Sequence, residues 1–419
     1  MLLPSQDIYY ISKPEKFFFS LAVVMYVMYQ GVLAISLYYD LPNSYISAFM
    51  RLFPTVIAGV LFFNSLMNGD FGRMDWTVAL QFVYLAYFFV VLFFARFDSF
   101  TEIRTLQYGK LFMYYSVIAV NIFPFLLFFM PPRRFFYLAN NPWLVFAPAL
   151  FSVVVLFVLF RGMFFEGTSS SVAVSEGVNR ATTTYVIALL FFMSLYYIVF
   201  SMKLYKVLIA LCTLVFSGVM IMKSSSQSLL VSCFLILVVT LLYSFKDRRS
   251  FIIMLFVSVV GLTASIPYLL LSKGFERLSN IVDVGLFYTY GGEYDVSRID
   301  LAKQGFDLFL SSPIFGGYPF LPDGSYTHFF LVDMIMAAGI LGILMIFAIF
   351  YITARFYLVS FARMPVTYVW IVMYVTFEGC QILFHGGAVS NACMAFGLIF
   401  TLHLIYNNTQ GRLPVPMQM

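Results

Sequence analysis

Residues 297–342 read SRIDLAKQGFDLFLSSPIFGGYPFLPDGSYTHFFLVDMIMAAGILG. Ser297 and Asp300 have the spacing of a helix capping box, which predicts a helix starting there. Ile299, Ala302, Phe306 and Phe309 recur at helical steps on one face, with Asp300, Lys303, Gln304 and Asp307 on others. The pattern describes a helix lying on a membrane surface, stopped by Pro313 and turned by Gly316-Gly317. Arg298 falls in its first turn, beside backbone N–H groups that favour an anion. A long apolar run then begins at His328. A surface helix leading into an apolar run predicts an all-α membrane chain, with its polar chemistry held at one face.

Composition agrees. The chain has 419 residues, of which 62% are hydrophobic and 10% charged, too apolar for a soluble domain. Its aromatic share, with 52 Phe and 29 Tyr, fits lipid-facing helices with interfacial belts. The net charge of +5 is spread over many loops and forms no tract for nucleic acid. Cys212, Cys233, Cys380 and Cys393 all fall inside apolar runs, so disulfides are not expected, and no CxxC pair offers a metal site. The N-terminus lacks a cleavable signal pattern, so the first apolar run is expected to remain as a transmembrane helix.

Apolar runs long enough to cross a bilayer begin near Phe17, Tyr45, Trp76, Leu111, Trp143, Tyr185, Val207, Leu229, Phe251, His328, Val366 and Ala388. This predicts about twelve spans in a single polytopic domain over 1–419. Placing both termini in the cytoplasm puts Lys13 and Lys16, Arg133-Arg134, Lys203 and Lys206, Lys246 with Arg248-Arg249, and Arg355 with Arg363 inside, as the positive-inside rule asks. The largest outer loop is then 273–327, between the ninth and tenth spans, and it carries the surface helix. The outer loops hold Arg96, Arg104, Arg161, Arg180, Arg277 and Arg298, on the side where basic residues are normally scarce. Anion binding accounts for them; so does the freedom of long loops from the rule.

Three ionisable residues interrupt the runs in the outer half of the bilayer: Arg51, Asp333 and Glu378. Intramembrane charges usually face a cavity or one another. They predict either a polar pocket open to the outside or structural ion pairs of Arg51 with Asp333 or Glu378.

The layout resembles the bacterial O-antigen polymerase and O-antigen ligase superfamily. The resemblance is sharpest over 297–342, where Ser297-Arg298, the SPIFGG turn at 312–317, Thr327-His328 and the AGILG of 338–342 match the family pattern in order and spacing. Two positions depart from it. Phe329 follows the histidine where the family usually has Asn, and Gln227 in KSSSQSLL stands where the ligase branch carries an arginine. The second departure favours polymerase over transfer of finished polymer to lipid A-core.

The resemblance implies a GT-C-like, metal-independent glycosyltransferase of the bacterial inner membrane, with no cofactor. It implies an undecaprenyl-diphosphate-linked glycan donor, a glycan acceptor, and a chain-length regulator and a flippase as neighbours. His328 would be the general base on the acceptor hydroxyl; the rival reading is a histidine that anchors a helix end. The departing diphosphate needs fixed cations, and guanidinium groups offer planar, paired contacts to phosphate. Arg298 leads, followed by Arg180, Arg161 and Arg277. Glu293 and Asp295 are the nearest approach to a metal pair in an outer loop, and no metal is expected there. His385 is a second outer histidine, and His403 is read as structural. A lipid-linked oligosaccharide flippase is the competing class, but transporters are commonly built of repeated halves and this chain shows no repeat.

Overall fold

The computed structural model describes residues 11–39, 43–68, 132–159, 180–201, 203–223, 227–271, 298–318, 321–322, 327, 329–363 and 365–385. The described residues are helical throughout, with no strand among them. In chain order the helices are α1 (Lys13–Tyr38), α2 (Asn43–Met67), α3 (Pro132–Asn140), α4 (Trp143–Leu159), α5 (Arg180–Phe200), α6 (Leu204–Lys223), α7 (Gln227–Ser244), α8 (Arg248–Leu271), α9 (Arg298–Ser311), α10 (Phe330–Arg363) and α11 (Val369–His385). The expected runs near Trp76, Leu111 and Ala388 lie outside the described residues.

Among the described residues two helices, over Leu204–Ile221 and Phe330–Val359, are long and apolar enough to cross a membrane. The pair Arg133–Asn140 and Trp143–Leu159, bent by 56°, makes a third if it counts as one span. Apolar residues cover the outside as well as the core: Val215, Phe234, Phe256 and Phe347 are all largely exposed, as lipid contact requires and water would not allow. Helices α5 and α11 form the centre. From Val186 to Val199 and from Tyr368 to Phe377 nearly every side chain is buried, the signature of a helix apolar all round. Their rings meet through Phe192, which packs on Tyr374 and Phe377. Around them α6 and α4 pack on α5, α1 packs on α2 and α4, and α7 packs on α11.

Printed contacts gather one end of the bundle. Glu15, at the start of α1, meets Arg133 and Arg134 of α3, and Arg134 also donates to Leu61 O and Ser65 Oγ near the end of α2. Trp370, at the start of α11, donates to Ala139 O of α3. Ser250 of α8 donates to Val199 O at the end of α5. Lys206 lies over the rings of Trp143 and Tyr197, and Tyr243 stacks on Phe361 near the end of α10. The compact basic clusters of the sequence therefore share one face. Asp247 caps α8 there by accepting Ser250 N–H and Oγ–H, and these bonds hold its carboxyl below the usual carboxylate range.

Arg133 and Arg134, expected from sequence only as an inner basic cluster, are held in place by specific contacts. They lie in a short helix, and Arg134 is fully buried with its Nε 2.8 Å from Glu15 Oε1. A buried guanidinium needs acceptors, and the carboxylate, the Leu61 carbonyl and the Ser65 hydroxyl accept from its Nε and Nη2. Glu15→Gln keeps the shape and removes the charge. It is expected to cost about 1.5 to 3 kcal/mol, the range for hydrogen bonds to charged groups. Thermal unfolding of the detergent-solubilised protein reads this directly, and an unchanged midpoint would show that the cluster is not an anchor.

Candidate functional site

The stretch 298–342 builds one structure from its separate pieces. Helix α9 starts at Arg298, one residue after the expected cap at Ser297, and ends at Ser311, two residues before Pro313. Its packed face differs from the one expected. Gly305 is buried with Leu301, Ala302, Leu308 and Phe309 half-buried beside it, whereas Phe306 and Leu310 point outward. The physical reason is that α9 has a second neighbour besides lipid. Gly305 lets it close onto the start of α10, where an added Cβ would stand 2.6 Å from Thr327 Cγ2 and 2.8 Å from Val332 Cγ1. Phe306, Leu310, Ile314 and Phe315 continue outward as an exposed apolar ridge.

The apolar run after His328 is not one straight helix. Gly339 has φ 58° and ψ −133°, the conformation of the first central residue of a type II′ turn, and it breaks α10. Gly342 packs against Met334 and Ile335, residues that an unbroken helix would hold about 12 Å from it. The short piece Phe330–Ala338 therefore folds back on the long piece from Ile340 to Arg363. At 1.5 Å per residue the long piece is about 35 Å, enough for a bilayer core.

A broken helix strands backbone donors and acceptors, which is costly away from water. The SPIFGG turn supplies them. Gly317 N–H donates to Ala337 O at 3.0 Å and Tyr318 N–H to Met336 O at 3.1 Å; Ile340 N–H donates to Ile314 O at 3.3 Å. Gly316 and Gly317 have φ of 64° and 106°, so both need the freedom of glycine. The approach leaves no room for a side chain. A Cβ on Gly316 would lie 2.6 Å from the backbone of Ala337 and Ala338, and one on Gly339 would lie 2.5 Å from Ile314 O.

At the mouth of α10, Asp333 Oδ1 accepts Thr327 N–H at 2.9 Å and Thr327 Oγ1–H at 2.8 Å. Both side chains are fully buried. Thr327 Oγ1 in turn accepts Phe329 N–H at 3.1 Å. Sequence reasoning missed this clamp, because a threonine six residues before an aspartate is not a capping-box spacing. Asp333, expected as a pocket charge or as a partner of Arg51, is bonded to Thr327 through Oδ1.

The other expected residues are dispersed. His328, Arg161, Arg277, Glu293, Asp295 and His403 lie outside the described residues. The backbones of Arg298 and Arg180 begin α9 and α5, and that of Arg51 lies on α2; their side chains, with those of Gln227 and His385, fall outside the described residues. Because α5 ends at the basic face, Arg180 lies about 30 Å along the helix from that face. Arg51 lies about 20 Å along α2 from Ser65, likewise away from that face. Glu378 is buried on α11, about 14 Å along the helix from Val369. The structure joins the Thr327–Phe329 mouth, α9 and the SPIFGG turn into one unit. No family model matches this sequence, and no curated protein and no solved structure is found similar to it.

Proposed function

We propose that this chain is a bacterial inner-membrane protein of about twelve spans that polymerises surface polysaccharide. It joins undecaprenyl-diphosphate-linked oligosaccharide repeat units at the periplasmic face, with both termini cytoplasmic. The observation that carries the reading is the unit built from 298–342. Pieces of sequence that resemble the polymerase and ligase pattern are not scattered but interlock, with the helix that begins at Arg298 packed on the residues that flank His328. The gathering of basic clusters at the opposite end supports the orientation, since that end would face the cytoplasm.

In this reading the acceptor hydroxyl loses its proton to His328 and attacks the anomeric carbon of the donor sugar. The bond from that carbon to the lipid diphosphate breaks, and the departing charge is stabilised by Arg298, with Arg180, Arg161 and Arg277 as further cations. Arg298→Lys keeps the charge but loses the paired contact. It is expected to lower donor use about 10- to 150-fold, the value of one charge-assisted contact. Normal activity of Arg298→Lys and Arg298→Ala at equal membrane abundance would remove this residue from the site.

Gel profiling of lipopolysaccharide from a deletion strain tests the reaction itself. Loss of the ladder with a single repeat retained is the expected result. Loss of all O-antigen with accumulation of lipid-linked polymer would mean transfer to lipid A-core instead, and an unchanged profile would overturn both.

A further inference from the structure

The hydrogen bonds around position 328 close into a ring. Thr327 gives both its N–H and its hydroxyl proton to Asp333 Oδ1, Phe329 N–H is accepted by Thr327 Oγ1, and Asp333 N–H donates to Phe329 O at 2.9 Å. The residues on either side of His328 are thus tied to each other and to Asp333, Thr327 through the carboxyl and Phe329 through the backbone N–H. Thr327 and Asp333 are fully buried, and Gly305 closes over the Thr327 methyl group.

Ordinary capping does not require this arrangement. A helix start is satisfied by one side-chain oxygen on one or two N–H groups, and asparagine or serine serves as well as aspartate. Here a carboxyl side chain is buried, one of its oxygens carries both bonds to Thr327, and the other, Oδ2, has no partner among the described residues. Burying an unsatisfied carboxylate oxygen costs stability. What the cost secures is stiffness: two bonds from one residue to one oxygen fix the residue before the histidine.

We infer that Thr327 and Asp333 are positioning residues for His328, holding the backbone on both sides of it in one conformation at the mouth of α10. The inference rests on the reading of His328 as the base. Asp333 acts through the Thr327–Phe329 arch and touches neither substrate nor the reacting atoms.

The chain has 3 histidines, so the chemistry of one can be followed against two internal controls. Purified protein in lipid nanodiscs is treated with diethyl pyrocarbonate, and the rate of carbethoxylation of each histidine is read by peptide mass spectrometry. Thr327→Val keeps the shape of the side chain and removes its hydroxyl. The expected result is at least a threefold faster modification of His328, with His385 and His403 unchanged, and wild-type behaviour in Thr327→Ser. With a synthetic lipid-diphosphate donor, Thr327→Val should lower kcat about 100-fold, the cost of a misplacement on the order of 1 Å, while the donor KM stays within threefold. Thr327→Ser should restore most of that loss. Should Thr327→Val fail to fold, Asp333→Asn replaces it, since the amide weakens the same bonds without removing the acceptor, and at least a twofold faster modification is expected.

Unchanged or slower modification of His328 in a folded variant overturns the positioning role, whatever happens to turnover. Faster modification with full turnover in both Thr327→Val and His328→Gln leaves the clamp standing and removes His328 as the base instead.

Discussion

Gly339→Ala is expected to destabilise the protein by about 3 kcal/mol or more, and Gly316→Ala to do nearly the same. Gly339 holds φ 58° with ψ −133°, a region that L-residues occupy only at a cost of about 1 to 3 kcal/mol. A Cβ there would also stand 2.5 Å from Ile314 O and 2.6 Å from Pro313 O, which are backbone atoms and cannot swing aside. Moving the turn away to make room would strand Gly317 N–H, Tyr318 N–H and Ile340 N–H, and each orphaned buried group adds about 1 to 3 kcal/mol. Gly316 faces the same choice from the other side, with φ 64° and the Ala337–Gly339 backbone 2.6 Å from its Cβ position. Because the two substitutions break one contact, their effects should fall well short of additive. Thermal unfolding of the two single variants and the double variant measures this. Additive losses would mean that the turn and the break are independent. Gly59→Ala is the control, since nothing lies within 4 Å of its Cβ position. It should be neutral or slightly stabilising, because alanine favours a helix interior.

How much of this was readable beforehand depends on distance along the chain. The helix after Ser297, its end before Pro313 and the turn at Gly316-Gly317 were legible because caps, prolines and glycines act on their own neighbours. The apolar runs that became α1, α2 and α4 to α8 were legible for the same reason, since hydropathy is a local sum. The break at Gly339 was not. A glycine inside an apolar run is ordinary in membrane helices, and only the SPIFGG turn, more than twenty residues earlier, shows that this one carries a positive φ. The face of α9 was half right. Period alone puts Phe306 with Ala302 and Phe309, yet Gly305, which carries no hydrophobic signal, decides which side closes on α10. Asp333 was legible as an unusual charge, but its bonds to Thr327 were not, because they are set by the arch of the backbone and not by charge. The burial of Arg134 was not legible either: its pairing with Glu15 spans more than a hundred residues, which no local pattern encodes.

The largest functional effect is expected at His328. If its imidazole takes the proton from the acceptor hydroxyl, His328→Ala should lower turnover about 10² to 10⁴-fold, the usual worth of a positioned base. Donor binding through the arginines should survive, so the loss appears in kcat and not in KM. The base must be neutral to act, and the rate should therefore rise with pH through about 6 to 7 and lose that limb in the variant. A histidine that only anchors the helix end predicts the reverse. His328→Gln or His328→Tyr would then keep activity, and alanine would lower protein abundance more than turnover per molecule. The two readings separate in one assay with purified protein, a synthetic lipid-diphosphate donor and excess chelator. Loss of activity on chelation would move the chemistry toward a metal held by Glu293 and Asp295. Full turnover of His328→Gln, with or without chelator, would assign the base elsewhere, and His385, the other outer histidine, would be the next residue to replace.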